Sequence, residues 1–140
     1  MNIKIYRGLE QIGGCISEIW TDTSRVFIDF GQNLSGNGEP TTPEEDEDMV
    51  NNIFSNNKKE HEAVFCTHGH EDHVGLIEYI PNNVTQYMSE GTKSLFSIKY
   101  EVLQEGAGLK VNDLQSKECS DQEYSDAINQ LIYVLISPDL

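Results

Sequence analysis

The sequence is poor in histidine and in basic residues. It contains four histidines and nine lysine and arginine residues against 24 acidic residues, which gives a net charge of −15. Because phosphate groups are bound through clustered lysine and arginine, this balance argues against a free-standing nucleic-acid binder. The densest acidic run, residues 44–48, is predicted to begin a helix, where acidic side chains complement the helix dipole, and not to bind a cation.

Cysteine is also scarce, and long apolar stretches are absent. The three cysteines, Cys15, Cys66 and Cys119, are widely spaced and include no Cys-x-x-Cys pair. This pattern suits a reducing cytoplasm better than a disulfide framework. No segment has the length and apolarity of a secretory signal or a membrane span. We therefore predict a cytoplasmic protein that does not interact with membranes.

Three of the four histidines lie in one heptapeptide, Thr-His-Gly-His-Glu-Asp-His at residues 67–73. His68 and His70 are two apart, so on an extended segment both imidazoles project to the same side and can bind one metal ion. Asp72 and His73 are adjacent and diverge from the first pair, so they are better placed to serve a second ion. A solvated polar loop is the alternative, but chance rarely produces this pattern in so histidine-poor a chain.

The flanks of the heptapeptide predict where it lies in the fold. Residues 63–66 form a short apolar run typical of a buried strand, and the apolar stretch 74–80 that stops at Pro81 fits a short helix. The histidines would then follow the carboxyl end of a strand, where open α/β sheets place their ligands. Asp72 could instead be the N-cap of that helix, a role that needs no metal.

The rest of the chain is predicted to form one compact domain. Strands are expected at residues 2–6, 15–20, 26–30 and 84–88, with a hairpin turn at 21–24. Thr42, Pro43 and Glu45 form a capping box that predicts a helix to about Ser55. The residues of this helix expected to face inward are Met49, Val50, Ile53 and Phe54.

Two further helices are predicted toward the carboxyl terminus. One is capped by Ser89 and ends before Gly106, and its apolar residues are Leu95, Ile98, Val102 and Leu103. The stretch 106–119 is polar and reads as loop. A second capping box at Ser120 and apolar residues at helical spacing predict another helix over about 121–136.

Residues 67–75 resemble the signature of the metallo-β-lactamase superfamily, and the form His-Gly-His-Glu-Asp-His-x-Gly is most similar to its ribonuclease J branch and related RNA-processing nucleases. Gly13-Gly14-Cys15-Ile16 followed by residues 26–31 resembles the opening strands of that family, with Asp29-x-Gly31 matching its first motif. The resemblance covers roughly residues 1–105. It implies an α/β (α+β) fold, the αββα sandwich of the family.

A complete sandwich of this kind needs on the order of 200 residues or more. Residues 1–140 would therefore form a single, truncated domain, roughly the amino-terminal half of the sandwich, in which about 106–140 does not match the family. The missing half would leave the inner sheet face, formed by strands such as 15–20, 26–30 and 63–67, without a partner. We expect either the helix at 121–136 or a second copy of the chain to cover it, with a homodimer slightly preferred.

The resemblance also implies the roles of individual residues. His68 and His70 would ligate one metal, and Asp72 and His73 the other. Asp72 would in addition act catalytically by helping to activate the bridging water. Asp29 would orient the ligand loop without binding metal, with Thr67 in a similar supporting role. The alternative for Asp29 is a turn residue that closes the strand ahead of Gly31.

By resemblance the chain is a metal-dependent hydrolase that acts on RNA or another phosphodiester, with up to two ions, Zn²⁺ or alternatively Mn²⁺. Family members take a further histidine, a bridging aspartate and a last histidine from downstream. This chain has no histidine after His73, so we expect an incomplete site and weak or absent activity. The alternative is a non-catalytic metal-binding, structural or regulatory remnant that dimerises.

Overall fold

The computed structural model describes residues 1–34, 41–103 and 116–119, together with residues 122 and 126. Between residues 1 and 119, the described ranges contain six strands and three helices, with a 3₁₀ turn at Ile77–Tyr79. The strands are β1 Asn2–Arg7, β2 Ile16–Trp20, β3 Ser24–Ile28, β4 His61–Phe65, β5 Thr85–Ser89 and β6 Ser116–Cys119. The helices are α1 Pro43–Ser55, α2 Glu71–Val74 and α3 Glu90–Leu103.

The strands form one mixed sheet whose spatial order follows the sequence, β1 to β6. The first three strands are antiparallel, and β3 to β6 are parallel. Parallel neighbours joined in sequence order by right-handed crossovers place every connecting helix on the same face of the sheet. The apolar cluster agrees, because α1, α2, the 3₁₀ turn and α3 all contribute to it through Phe54, Val74, Ile77 and Phe96.

The opposite face of the sheet, called the open face, carries mainly apolar side chains. The strand registers align two rows of side chains across it, one of Ile3, Ile19, Val26, Ala63 and Thr85, the other of Ile5, Ser17, Ile28, Phe65 and Tyr87. Ile3 and Ile5 are 62% and 41% exposed, whereas Phe65 is 7% exposed. None of these residues belongs to the apolar cluster under the helices. The mixed α/β fold is thus confirmed, with one sheet and one helical layer in the part of the chain that is described.

The capping box at the start of α1 is confirmed. The Glu45 amide donates to Thr42 Oγ1 at 3.2 Å, and the Thr42 amide donates to the Glu45 carboxylate at 2.8 Å. Val50, Ile53 and Phe54 are buried, and Met49 packs at the margin of the core. Local side-chain chemistry is therefore sufficient to position this helix.

Several predicted boundaries and faces are wrong. The strand predicted at 26–30 spans Ser24–Ile28, because Asp29 has a φ of 61° and ends it. The segment 74–80 is not one helix, since α2 ends at Val74 and a separate 3₁₀ turn follows. The predicted loop 106–119 contains β6. Its backbone pairs with that of β5, and backbone pairing does not require an alternating pattern of side chains. Leu95 and Ile98 on α3 are 62% and 59% exposed.

The helix predicted at 121–136 lies outside the described residues except for Gln122 and Asp126, which are helical, exposed and joined by a 2.8 Å hydrogen bond. Among the described helices, none combines the length and apolarity needed to cross a membrane.

A buried arginine joins α1 to the sheet. Arg25 on β3 is 1% exposed, and its guanidinium donates to the carbonyl oxygens of Ile53, Phe54 and Asn56 at the end of α1. Its Nε lies 2.6 Å from the Glu62 carboxylate. A guanidinium has five donors and so satisfies helix-end carbonyls and a carboxylate together. The sequence patterns did not predict this contact.

Candidate metal centre

The heptapeptide lies at the carboxyl end of β4, where the sequence predicted it. Backbone hydrogen bonds hold α2 against the segment after β3 and against Cys15, which precedes β2. The amides of Cys15, Phe30 and Gln32 donate to the carbonyls of Asp72, His73 and Glu71 at 2.8–3.0 Å. A side chain at Gly31 would overlap the Asp72 carbonyl. The glycine therefore permits the close approach that fixes Asp72 and His73.

The four predicted ligands form two donor pairs. Nε2 of His68 lies 3.0 Å from Nδ1 of His70, and Nε2 of His73 lies 3.5 Å from Oδ2 of Asp72. With metal–ligand distances of 2.0–2.1 Å, these separations correspond to ligand–metal–ligand angles of roughly 94° and 115°. Neighbouring ligands on one ion have such separations, and the 3.0 Å separation is also that of a hydrogen bond between the two rings.

The two pairs are adjacent but do not merge into one closed site. The ring centroids of His68 and His73 are 4.0 Å apart. Within the described ranges, no group of three or more His, Cys, Asp or Glu side chains is arranged to hold a metal ion. A structural zinc site needs four protein ligands and a catalytic one needs three. The described residues thus bring two pairs of potential ligands side by side, and neither pair has a third ligand.

Asp29 orients His73, one of the histidines predicted to bind metal. Its carboxylate is 4% exposed, accepts the Thr67 amide at 2.7 Å and the Thr67 hydroxyl at 2.8 Å, and lies 2.7 Å from His73 Nδ1. An imidazole that donates from Nδ1 keeps its lone pair on Nε2, the atom that faces Asp72. Asp29 thereby selects the tautomer in which His73 can bind a metal.

Thr67 extends the same network to His68. Its hydroxyl oxygen lies 3.0 Å from His68 Nδ1. If the hydroxyl proton is donated to Asp29, the oxygen accepts from His68 Nδ1, and the lone pair of His68 then lies on Nε2, the atom that faces His70. The buried Asp29 carboxylate thus sets the tautomer of His73 directly and that of His68 through the Thr67 hydroxyl group.

The alternatives raised by the sequence have different outcomes. The residue at the N-cap of α2 is His70, without a side-chain cap bond, and Asp72 lies inside the helix, so Asp72 is not an N-cap. The turn interpretation of Asp29 holds alongside its bonds to Thr67 and His73, because its left-handed φ of 61° ends β3. The fourth histidine, His61, begins β4 with its side chain 72% exposed, away from the other three.

Two cysteines near this site were not singled out by the sequence. Burial, followed by the charges of Asp29 and Asp72, raises the pKa of the Cys15 thiol. Burial raises the pKa of Cys66 to about 12, with a smaller effect of Asp29. Both thiols are therefore protonated at neutral pH. The only local signal was the position of Cys15 after Gly13-Gly14 and of Cys66 just before the heptapeptide.

No family model and no curated protein matches this chain. Among solved structures, the chain is similar to a protein of unknown function from Enterococcus faecalis V583, with a TM-score of 0.62 and 19% sequence identity. The match covers 84% of this chain and 32% of that protein. At this identity the likeness shows the fold alone, and this chain spans about a third of the length of its structural neighbour.

Proposed function

We propose that this chain carries half of a two-metal hydrolase site. His68 and His70 would hold one ion, and Asp72 and His73 a second ion beside it. The geometry of the four side chains supports this proposal. The ligand atoms lie 3.0 Å apart in the His68–His70 pair and 3.5 Å apart in the Asp72–His73 pair. The contacts of Asp29 and Thr67 direct the Nε2 lone pair of His73 toward Asp72 and that of His68 toward His70.

When bound, such ions supply an activated water and polarise the scissile bond. The residues of the chain itself would position these ions and the attacking water. Asp29 and Thr67 hold the histidines in the metal-binding tautomer, and Gly31 lets the Asp72–His73 segment approach. Asp72 presents a carboxylate oxygen that can accept a proton from the attacking water. The substrate class, RNA or another phosphodiester, is proposed from the resemblance to the ribonuclease J branch, as are Zn²⁺ and its alternative Mn²⁺.

A second function, metal binding without turnover, is favoured by the count of ligands. Each position has two ligands from the described residues, whereas a catalytic zinc has three. We therefore expect weak metal binding and little or no hydrolysis by the chain alone. Further ligands from outside the described residues would convert the same half-site into an enzyme.

The proposal extends to association and location. The open sheet face, defined by the two rows of side chains above, is proposed to pair with a second copy of the chain. A cytoplasmic location is proposed because Cys15 and Cys66 are free thiols, as expected in a reducing compartment.

Zinc titration with a chromogenic competitor tests the metal half-site. The variants are the double substitution His68→Ala/His70→Ala and, as a matched control, His61→Ala, which removes an exposed histidine outside the site. We expect the wild type and His61→Ala to bind zinc equally, and the double variant to bind much less. Affinity should fall as the pH is lowered, because a protonated imidazole cannot ligate a metal.

Equal zinc binding by the double variant would refute the site. Hydrolysis of a phosphodiester such as bis(p-nitrophenyl) phosphate is measured in parallel. Little or no turnover is expected. Strong turnover that disappears in Asp72→Ala would show that the ligand set is complete. The chain would then be an active enzyme and not the carrier of a half-site.

A further inference from the structure

The first strand of the sheet has one free edge. Within the part of the chain that is described, β1 pairs with β2 alone, and Asn2 to Ile5 are exposed. An edge strand presents unpaired N–H and C=O groups at alternate residues, which can hydrogen-bond an added strand.

A groove runs between this edge and α1. It has a volume of about 580 Å³, and Lys4 and Tyr6 of β1 form one side of it. Glu45, Asp48 and Asn52 of α1 contribute to the other side. An edge strand beside a helix is the arrangement in which β-strand addition gives affinity through backbone bonds and specificity through side-chain pockets.

The groove is suited to a positively charged side chain. The ammonium group of Lys4 lies 4.1 Å from the centroid of the Tyr6 ring and occupies that ring face. Glu45 and Asp48 place two carboxylates on the helix side. The chain as a whole carries a charge of −15, which would attract a basic partner.

The other side of the same edge is apolar. Ile3 and Ile5 point to the open sheet face and are 62% and 41% exposed. Because side chains alternate along a strand, a segment added beside β1 would direct every second residue into the groove. The residues between them would extend the apolar rows that begin at Ile3 and Ile5.

We propose that the β1 edge and its groove bind an extended segment of a partner protein in which lysine or arginine alternates with apolar residues. The basic side chains would meet Glu45 and Asp48, and the apolar ones would lie beside Ile3 and Ile5. A second copy of this chain fits the edge less well, because it would bring the acidic start of its own α1 toward the same groove. This interface is separate from the metal half-site and shares Ile3 and Ile5 with the open sheet face.

The test uses a short fluorescein-labelled peptide of alternating lysine and valine, with fluorescence anisotropy at low salt. Asp48→Lys should weaken binding about fivefold, as expected for reversal of one exposed charge contact. The matched control is Asp22→Lys, which makes the same charge change at an exposed residue of the β2–β3 turn and should leave the affinity unchanged. Circular dichroism confirms that both variants are folded.

Backbone pairing is tested separately with two peptides. One is N-methylated at every second residue, and the other is N-methylated at the residues between them. Methylation of the residues whose N–H groups face β1 should abolish binding, and methylation in the other phase should not. Two results would show general charge attraction in place of strand addition and would overturn the proposal. One is equal binding of both methylated peptides, and the other is equal weakening of binding by Asp48→Lys and Asp22→Lys. Absence of binding, or tighter binding of a glutamate–valine peptide, would also overturn it.

Discussion

At the scale of single residues, Asp29 combines a backbone role with a chemical one. It ends β3 with a φ of 61° and accepts hydrogen bonds from Thr67 and His73. Asn adopts the left-handed conformation at least as readily as Asp, so Asp29→Asn keeps the turn and removes only the charge and one acceptor. We expect zinc affinity to fall about tenfold to hundredfold, as for other residues that orient metal ligands, measured by the chromogenic competition titration.

Thr67→Ser is the matched control for Asp29→Asn, because it keeps the hydroxyl group that links Asp29 to His68. It should retain wild-type zinc affinity. The tautomer can be read directly from the ¹⁵N chemical shifts of His73, which should report a proton on Nδ1 in the wild type and a mixture in Asp29→Asn. Unchanged tautomer and affinity in Asp29→Asn would show that this carboxylate serves the turn alone.

At the scale of elements, the contact between Arg25 and the end of α1 should determine much of the stability. Replacing Arg25 by Met removes the donors to three carbonyl groups and leaves Glu62 buried without its partner. Loss of one member of a buried ion pair costs about 3 to 5 kcal/mol. Urea unfolding followed by circular dichroism should show this decrease in the free energy of unfolding. The control is Lys58→Met, which removes an exposed cation just after α1 and should change the free energy of unfolding little. An equally small change in Arg25→Met would contradict the stabilising role assigned to Arg25.

The elements also show what the sequence can and cannot predict. The capping box of α1 and the pairing of His68 with His70 depend on residues a few positions apart, and both were predicted. The contacts of Arg25 with Glu62 and of Asp29 with His73 join residues 37 and 44 positions apart, so they depend on which strands become neighbours. Strand β6 was missed for the same reason, since its existence depends on pairing with β5. The proximity of His68 and His70 was thus predictable from local spacing, the supporting role of Asp29 and Thr67 was expected only from the resemblance, and the Arg25 contacts were not predicted.

At the scale of the whole molecule, the described part of the sheet has helices on one face and mainly apolar side chains on the other, of which Ile3 and Ile5 are exposed and Phe65 is buried. Two sheets that pack face to face bury such surfaces at a separation of about 10 Å, and a large exposed apolar patch is unusual on a monomer. Pairing of two copies about a two-fold axis would cover both open faces at once. Light scattering over a dilution series should therefore give the mass of a dimer.

Val26 lies on the central strand β3, in the middle of the first row of the open face, so Val26→Lys tests that surface directly. A lysine there would place a charge in the centre of the dimer interface, so we expect the variant to have a monomeric mass. Its circular dichroism spectrum should be unchanged, because lysine can extend its ammonium group into water from the open face. Leu9→Lys is the control: Leu9 is 74% exposed on the loop after β1, and its replacement should leave the dimer intact. A wild-type chain that is monomeric at every concentration would refute the dimer and leave residues 121–136, predicted to be helical from their sequence, as the cover of the open face.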